Sequence, residues 1–455
     1  MAMKLLVANR GEIAVRIIRT ARELEIPTVV VYSTADADTL AVELAEEAVC
    51  IGPPPPSESY LRISNVVAAG EITGCTHVHP GYGFLAENAA FARACADSGL
   101  VFVGPSPEVM ERMGDKVQAK QAAREAGLPV LEGSDGAVSG LAEATAAAER
   151  AGFPILLKAA AGGGGRGMRR VEAPNELPAA FDIAQREAVA AFGDGGLYVE
   201  RLLDGARHVE VQVLADGLGG VLIAGDRECS IQRRHQKLVE EAPAPHLPDA
   251  TRTAMHDACA RATRAWGYRS AGTFEFLVDA QASFFFLELN ARLQVEHPVT
   301  ELVSGLDLVA EQLRVAQGQV LSRTGVVPAN GHAIEVRVNA EDPSEGFRPS
   351  AGRLRQFRMP GGPGVRLDTF CEPGVSIPPN YDSLIAKLCV WGGDRPRAVA
   401  RLRRALDEAD VQGVPTTLDL FRDIVREPSF IEGRYTTSYL SDRGHLLAAL
   451  DHRTV

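Results

Sequence analysis

Glu288-Leu289-Asn290-Ala291-Arg292-Leu293-Gln294-Val295-Glu296 sets a polar side chain at every second position. In extended backbone, successive side chains point to opposite faces. One face then carries Glu288, Asn290, Arg292, Gln294 and Glu296, and the other Leu289, Leu293 and Val295. An ordinary half-buried strand turns its polar face to water and rarely mixes carboxylates, an amide and a guanidinium so regularly. The stretch is expected to be extended and to line a site.

Upstream, Thr273 to Val278 and Phe284 to Glu288 are aromatic-rich runs separated by the polar Asp279 to Ser283, the pattern of a β-hairpin. A turn centred between Gln281 and Ala282 makes Glu275 and Glu288 cross-strand partners. Their Cβ atoms then lie ~5 Å apart, where like charges repel. A hard divalent cation, Mg²⁺ or Mn²⁺ accompanying a nucleotide phosphate, removes that conflict, and Asn290 is placed to add a third oxygen. Two solvated surface glutamates fit poorly beside Phe274, Phe276 and Phe286.

Phe153 to Lys158 reads as a strand, followed by Ala159-Ala160-Ala161 and Gly162-Gly163-Gly164-Gly165-Arg166-Gly167. The glycines match G-x-G-x-x-G, but the dinucleotide fingerprint needs a helix next. Met168-Arg169-Arg170-Val171 looks instead like a second strand. A strand–loop–strand flap suits a lid over phosphates, with backbone N–H groups and Arg166 facing the anion. No G-K-[ST] follows, so this is not a P-loop. Lys158 before the loop and Lys116 in Met113-Gly114-Asp115-Lys116 are within reach of the same anion, although a lone lysine is usually a solvated charge.

Arg207 to Val213 alternates, placing His208, Glu210 and Gln212 on one strand face. Ser230-Ile231-Gln232-Arg233-Arg234-His235-Gln236-Lys237 is a basic run without helical period. It is either a solvated loop or a set of donors for an anionic substrate.

The chain has 455 residues, 46% hydrophobic and 23% charged, enough for two or three subdomains with their own cores. A net charge of −12 with no long basic run argues against nucleic acid. Seven scattered cysteines without C-x-x-C spacing argue for a reducing compartment and against structural zinc. Neither a signal peptide nor an apolar run long enough to span a bilayer is evident, so a cytoplasmic protein without a membrane partner is expected.

At the start, Lys4 to Ala8 is a buried-type strand. The turn Asn9-Arg10-Gly11 leads into a helix with Ile13, Ile17, Ala21 and Leu24 on one face, and Thr28 to Tyr32 is the next strand. This βαβ beginning predicts a parallel sheet covered by helices. Its single glycine makes a nicotinamide cofactor improbable. His77 and His79 invite a metal reading, but His-Pro and Gly-Tyr-Gly turn chemistry explains them as well. Further on, Ala119–Ala126 reads as helical, Tyr381-Asp382-Ser383 as a loop and 396–410 as a helix.

Six stretches in this order are specific together: Ala8-Asn9-Arg10-Gly11-Glu12-Ile13-Ala14, His79-Pro80-Gly81-Tyr82-Gly83-Phe84-Leu85, Gly162 to Gly167, Arg233-Arg234-His235-Gln236-Lys237, Glu240-Glu241-Ala242-Pro243-Ala244-Pro245 and Gln294-Val295-Glu296-His297-Pro298-Val299-Thr300-Glu301. With them the chain resembles the biotin carboxylases, a family of ATP-grasp enzymes, over essentially its whole length. The resemblance implies an α/β and α+β fold of ATP-grasp architecture. Its parts are a Rossmann-like parallel sheet in 1–115, a linker in 116–130, a mobile lid in 131–203, and the ATP-grasp core with a mixed C-terminal domain in 204–455.

It also implies an activity. A lid closes on ATP and Mg²⁺ or Mn²⁺, bicarbonate becomes carboxyphosphate, and CO₂ passes to N1′ of biotin on a separate carrier protein, the first half-reaction of an acyl-CoA carboxylase. Lys116, Lys158, Gly164, Gly165, Glu200, Arg201, Leu203, His208, Gln232 and His235 are then expected around ATP, and Glu275, Glu288 and Asn290 around the metals. Lys237, Arg292, Gln294 and the Val295 amide are expected to hold bicarbonate, with Glu296 as its base. Arg337 supports the biotin enolate and Tyr82 lies nearby. The implied partners are the biotin carboxyl carrier protein, carboxyltransferase subunits and a second copy in a homodimer.

Pro363 stands where the family often has an aromatic packing the dimer, whereas Arg19, Glu23 and Arg366, of the same interface, are present. Thr437 takes a usually aliphatic place beside adenine, and Arg201 replaces a common lysine. The competing readings are another ATP-grasp ligase, forming a peptide-like or carbamoyl bond, and a nucleotide-binding regulatory module without catalysis.

Overall fold

The computed structural model describes residues 2–160 and 168–446. A parallel five-stranded sheet opens the chain, in the order Glu47–Gly52, Thr28–Ser33, Leu5–Val7, His77–His79, Val101–Phe102. Alternation decides its layers. Leu5 and Val7 pack with Ile13 and Ile17 of the helix Gly11–Glu23, while Leu6 and Ala8 pack with Val66 and Phe91 on the opposite face. Gly11 enters its helix at φ +66, a conformation that favours glycine. Leu24 departs from expectation: the helix ends at Glu23 and Leu24 is 46% exposed, so the buried stripe stops at Ala21.

A small antiparallel sheet follows, ordered Met168–Val171, Ile155–Ala159, Leu197–Arg201. The expected second strand after the glycine loop is therefore present; the loop itself, with Gly164 and Gly165, lies outside the described residues. Helix Leu141–Ala151 turns Ala144, Ala147, Ala148 and Ala151 onto this sheet, small side chains that let the helix lie close.

The largest sheet has nine strands. Eight run in the antiparallel order Phe284–Asn290, Arg269–Val278, Arg207–Asp216, Val221–Arg233, Gln236–Ala242, His332–Asn339, Leu384–Gly392, Val365–Thr369, and Gly325–Val326 joins Val221–Arg233 in parallel. The helix expected over 396–410 spans Arg395–Glu408, and that expected over Ala119–Ala126 spans Lys116–Glu125.

The hairpin that decided the fold forms with one difference of register. Val278 pairs Phe284 and Phe276 pairs Phe286, which centres the turn on Gln281 rather than beyond it. A bulge at Leu287 then inserts one residue and restores Glu275 opposite Glu288. Phe274, Phe276 and Phe286 are buried in one core with Trp266, each worth about 1.5–3 kcal/mol of burial. That apolar face fixes which way the glutamates point.

The stretch Glu288 to Glu296 is extended only as far as Asn290, where the strand ends. Residues 291–296 form a turning loop into the helix His297–Ser304. Pro298 in that helix's first turn presets its entry. Leu289 and Leu293 are buried as expected, but Val295 is half-buried and faces the cleft described next, because the loop breaks the alternation.

Candidate active site

Between the small sheet and the nine-stranded sheet lies a cleft of about 550 Å³. Lys116, Lys158, Glu200, Leu203, His208, Gln232, His235, Lys237, Glu275, Glu288, Asn290, Arg292, Gln294, Val295, Glu296, Arg337 and Thr437 all line it. Tyr82 lines an adjoining cavity of about 340 Å³, whose wall also includes Lys237, Arg292, Val295 and Arg337. Arg201 is expected to act through its backbone; its side chain is exposed and does not line the cleft, and its N–H donates to the Glu132 carbonyl at 2.9 Å. It is the last residue of its strand, where the pleat turns it outward.

Lys237 is the centre of charge. Its Nζ donates to Glu275 Oε1 at 2.9 Å, to Glu296 Oε1 at 2.7 Å and to Glu210. His208 Nε2 lies 3.1 Å from Glu275 Oε2 and 3.3 Å from Glu210 Oε1. Burial opposes a charge on His208, but Glu275 first and then Glu210 outweigh it, and its pKa is pushed up to about 10. Burial likewise opposes ionisation of Glu275 and Glu296. For Glu275, Lys237 and then His208 prevail; for Glu296, Lys237, Arg337 and Arg227 prevail, and both carboxyls are held below the usual range.

His235 reaches the cleft from a tight turn. Arg234 at φ +47 and His235 at φ +67 join Val221–Arg233 to Gln236–Ala242, both in the left-handed region that a two-residue hairpin turn requires.

The expected metal ligands come together on the hairpin. Glu275 faces Glu288, whose carboxyl is raised by desolvation first and by the Glu275 charge second. Two carboxylates in mutual repulsion at a cleft wall fit a divalent cation. Asn290 departs in detail: its Nδ2 donates to Glu275 Oε1 at 2.7 Å and its Oδ1 accepts from Arg292 at 2.9 Å. Its amide must rotate before its oxygen can serve as a ligand.

Around these groups stand residues that lone-residue reasoning does not single out. Arg227, fully buried, donates to Glu210 Oε2 at 3.0 Å, Gln212 Oε1 at 2.8 Å, Thr300 Oγ1 at 3.0 Å and Gln294 Oε1 at 2.9 Å. Glu87 takes Arg292 Nε at 2.8 Å and the Ala291 N–H at 2.9 Å. Glu240 accepts from Arg337 Nε at 2.6 Å. Lys120 donates to Glu200 Oε1 at 2.5 Å, Lys158 pairs with the other oxygen, and Glu200 is held at about 2 against burial. Lys120 is one helical turn from Lys116, a spacing that was available to find it.

Family models match along the chain: biotin carboxylase, N-terminal domain, over residues 1–110; carbamoyl-phosphate synthase L chain, ATP binding domain, over 115–324; and biotin carboxylase C-terminal domain over 335–442. A biotin carboxylase from Pseudomonas aeruginosa is 51% identical over 97% of this chain and 99% of its own, and one from Nostoc sp. is 50% identical over 96% and 98%.

The chain belongs to the biotin carboxylase family.

Solved structures agree. The beta-gamma-ATP complex of biotin carboxylase from Campylobacter jejuni superposes with a TM-score of 0.93 at 47% identity, covering 97% of this chain and 99% of that one. The dimeric biotin carboxylase domain of Hydrogenobacter thermophilus 2-oxoglutarate carboxylase, with MgADP, ADP and bicarbonate, gives 0.93 at 44% identity over 98% and 99%. The biotin carboxylase fold is the ATP-grasp architecture expected of the sequence, with its parallel N-terminal sheet and mixed sheets beyond. No described helix is long and apolar enough to cross a membrane.

Proposed function

We propose that this chain carboxylates biotin at the expense of ATP, making carboxyphosphate from bicarbonate in the large cleft and delivering CO₂ to N1′ of biotin in the adjoining cavity. One observation carries this reading: Lys237, Arg292, Val295 and Arg337 line both cavities. An anion made on one side therefore has fixed cationic groups leading to the other.

In this reading bicarbonate sits against Lys237, Arg292, Gln294 and the Val295 N–H, and Glu296 takes its proton. The pairing of Glu296 with Lys237 and Arg337 weakens it as a base. Bicarbonate shares those cations when it binds, and its negative charge raises the Glu296 pKa toward a useful value. Lys116 and Lys158 meet the phosphate oxygens, whose charge spreads in the transition state. Mg²⁺ or Mn²⁺ held by Glu275, Glu288 and Asn290 supplies neutralisation of that phosphate charge. Arg337 stabilises the ureido oxygen of biotin through charge-assisted hydrogen bonds as N1′ gives its proton to the phosphate left when the C–O bond of carboxyphosphate breaks to release CO₂. His208, Gln232, His235, Glu200, Leu203 and the glycine loop with Gly164 and Gly165 surround the nucleotide.

The division into 1–115, a linker 116–130, a lid 131–203 and 204–455 belongs to the same proposal. So do biotin delivery on a carrier protein, carboxyltransferase subunits as partners, an acyl-CoA or keto acid as final acceptor, a cytoplasmic setting and a homodimer. The dimeric biotin carboxylase domain from Hydrogenobacter thermophilus supports the last. Arg366, assigned to that interface, already pairs within the chain with Glu301 at 2.6 Å and Asp368 at 2.7 Å.

The test is phosphate release from Mg·ATP with bicarbonate, with and without free biotin. Bicarbonate-dependent release stimulated by biotin is expected. Release indifferent to both would place the chain among other ATP-grasp ligases, and no release would favour a regulatory module.

A further inference from the structure

The loop carrying Glu296 is held by side chains more than by backbone pairing. The Leu293 carbonyl accepts from Arg292 Nη1 at 3.2 Å, that of Gln294 from His297 Nδ1 at 2.7 Å, and that of Val295 from Lys387 Nζ at 3.0 Å. Lys387 is fully buried in the middle of Leu384–Gly392, directly opposite Arg337 in the neighbouring strand.

Two cations opposed in a sheet repel, and a buried ion pair gives little stability that a well-packed apolar side chain would not. Packing alone therefore does not explain a lysine here. Its ammonium is seated 3.0 Å from Glu12 Oε2 of the N-terminal domain and 3.7 Å from Asp368 Oδ2. Arg337 reaches the Glu296 carboxylate at 2.8 Å, while Lys387 reaches the peptide that carries the Glu296 N–H. Adjacent strands thus hold the same residue at its side chain and at its backbone.

We infer that Lys387 is a positioning residue for the carboxylation reaction, fixing the Val295–Glu296 peptide so that Glu296 and the bicarbonate-binding backbone stay in register. The inference rests on the proposed function. The Glu12 contact couples that peptide to the N-terminal helix, which also borders the second cavity. Lys387 does not touch the nucleotide cleft itself, so its effect should separate bicarbonate from ATP.

The experiment compares the full chain with Lys387→Met and Glu12→Gln, measuring kcat and KM for bicarbonate and for Mg·ATP beside the thermal midpoint. Lys387→Met should lower kcat/KM for bicarbonate on the order of a hundredfold, as misplacement by about an ångström does. The KM for Mg·ATP should stay within about twofold, since uniform nucleotide binding is untouched. Glu12→Gln should lower the bicarbonate parameter in the same direction, by on the order of tenfold. Equal losses toward both substrates, or a lowered midpoint with unchanged constants, would mark a structural role and overturn the inference. Should Lys387→Met not fold, wild-type constants in Glu12→Gln measured above about pH 8, where Glu12 carries its charge, overturn it. A wild-type chain whose turnover ignores bicarbonate overturns the proposed function instead.

Discussion

Arg337 Nη2 donates to Glu296 Oε2 at 2.8 Å across a gap of 41 residues, joining the strand His332–Asn339 to the loop before His297–Ser304. Glu240 Oε1 accepts from Nε at 2.6 Å and lies 2.5 Å from the same Nη2, so two carboxylates hold one guanidinium. The group assigned to the biotin enolate and the group assigned as base thus share a hydrogen bond. One must loosen as substrates enter.

Glu296→Gln keeps the shape and removes the charge. Biotin carboxylation should fall on the order of 10²–10⁴-fold, the usual effect of losing a positioned base. Mg·ATP affinity should be nearly unchanged, because Lys116, Lys158 and the hairpin carboxylates are untouched. Carboxybiotin formation and nucleotide titration check the two halves. A parallel loss of nucleotide binding would make Glu296 part of the metal site instead.

Glu288→Gln separates repulsion from function. Removing one of two facing carboxylates relieves a cross-strand conflict, so the ligand-free chain should be as stable as wild type or more so, by up to about 1 kcal/mol. The rise in thermal midpoint on adding Mg·ATP should shrink, since stabilisation by a ligand follows its affinity. A variant that loses stability without ligand and keeps the full Mg·ATP increment would remove Glu288 from the metal site.

Much of this site was legible. Alternation and an aromatic hairpin give the glutamates one common face, and Glu275 does stand opposite Glu288, although the expected turn is half a residue off and a bulge makes up the difference. The bulge at Leu287 was not legible, since one extra residue leaves no compositional trace. Nor was the end of the strand at Asn290, where loop and helix entry override a continuing polar–apolar pattern. Arg227, Glu240 and Lys387 stand in runs without polar–apolar alternation, so no pattern in the sequence singles them out. Their burial follows from helices covering both faces of the sheet, which only the assembled fold reveals.

Arg227 illustrates the energetic consequence. It is 0% exposed and binds Glu210, Gln212, Thr273, Gln294 and Thr300 at once. Arg227→Met removes one of the buried cations around Glu210, Lys237 remaining, and leaves Gln212, Gln294 and Thr300 short of a donor, so it should destabilise the central sheet by about 1–3 kcal/mol. Adding Glu210→Gln should recover part of this, because contacting residues are non-additive. Denaturant unfolding of both single variants and the double variant gives the coupling. Strict additivity would mean that the network does not act as a unit.

Glu12 makes a pH prediction whose sign is set by burial. Desolvation raises its carboxyl to about 7 although Lys387 opposes the shift. Between the ordinary carboxyl value of 4.5 and about 7 the folded chain holds a proton that the unfolded chain has released. Raising pH through that window therefore lowers stability, by at most about 3 kcal/mol, and above it both states are ionised and the loss stops. Asp368 and Glu200, each held at about 2, titrate below the window, and Glu240, also raised to about 7, contributes equally with or without Glu12. Glu12→Gln should therefore gain on wild type progressively from about pH 5 to 7 and hold a constant difference beyond. Stability curves that run parallel across this range would show that Lys387 keeps Glu12 ionised throughout, with the pair acting as a fixed salt bridge.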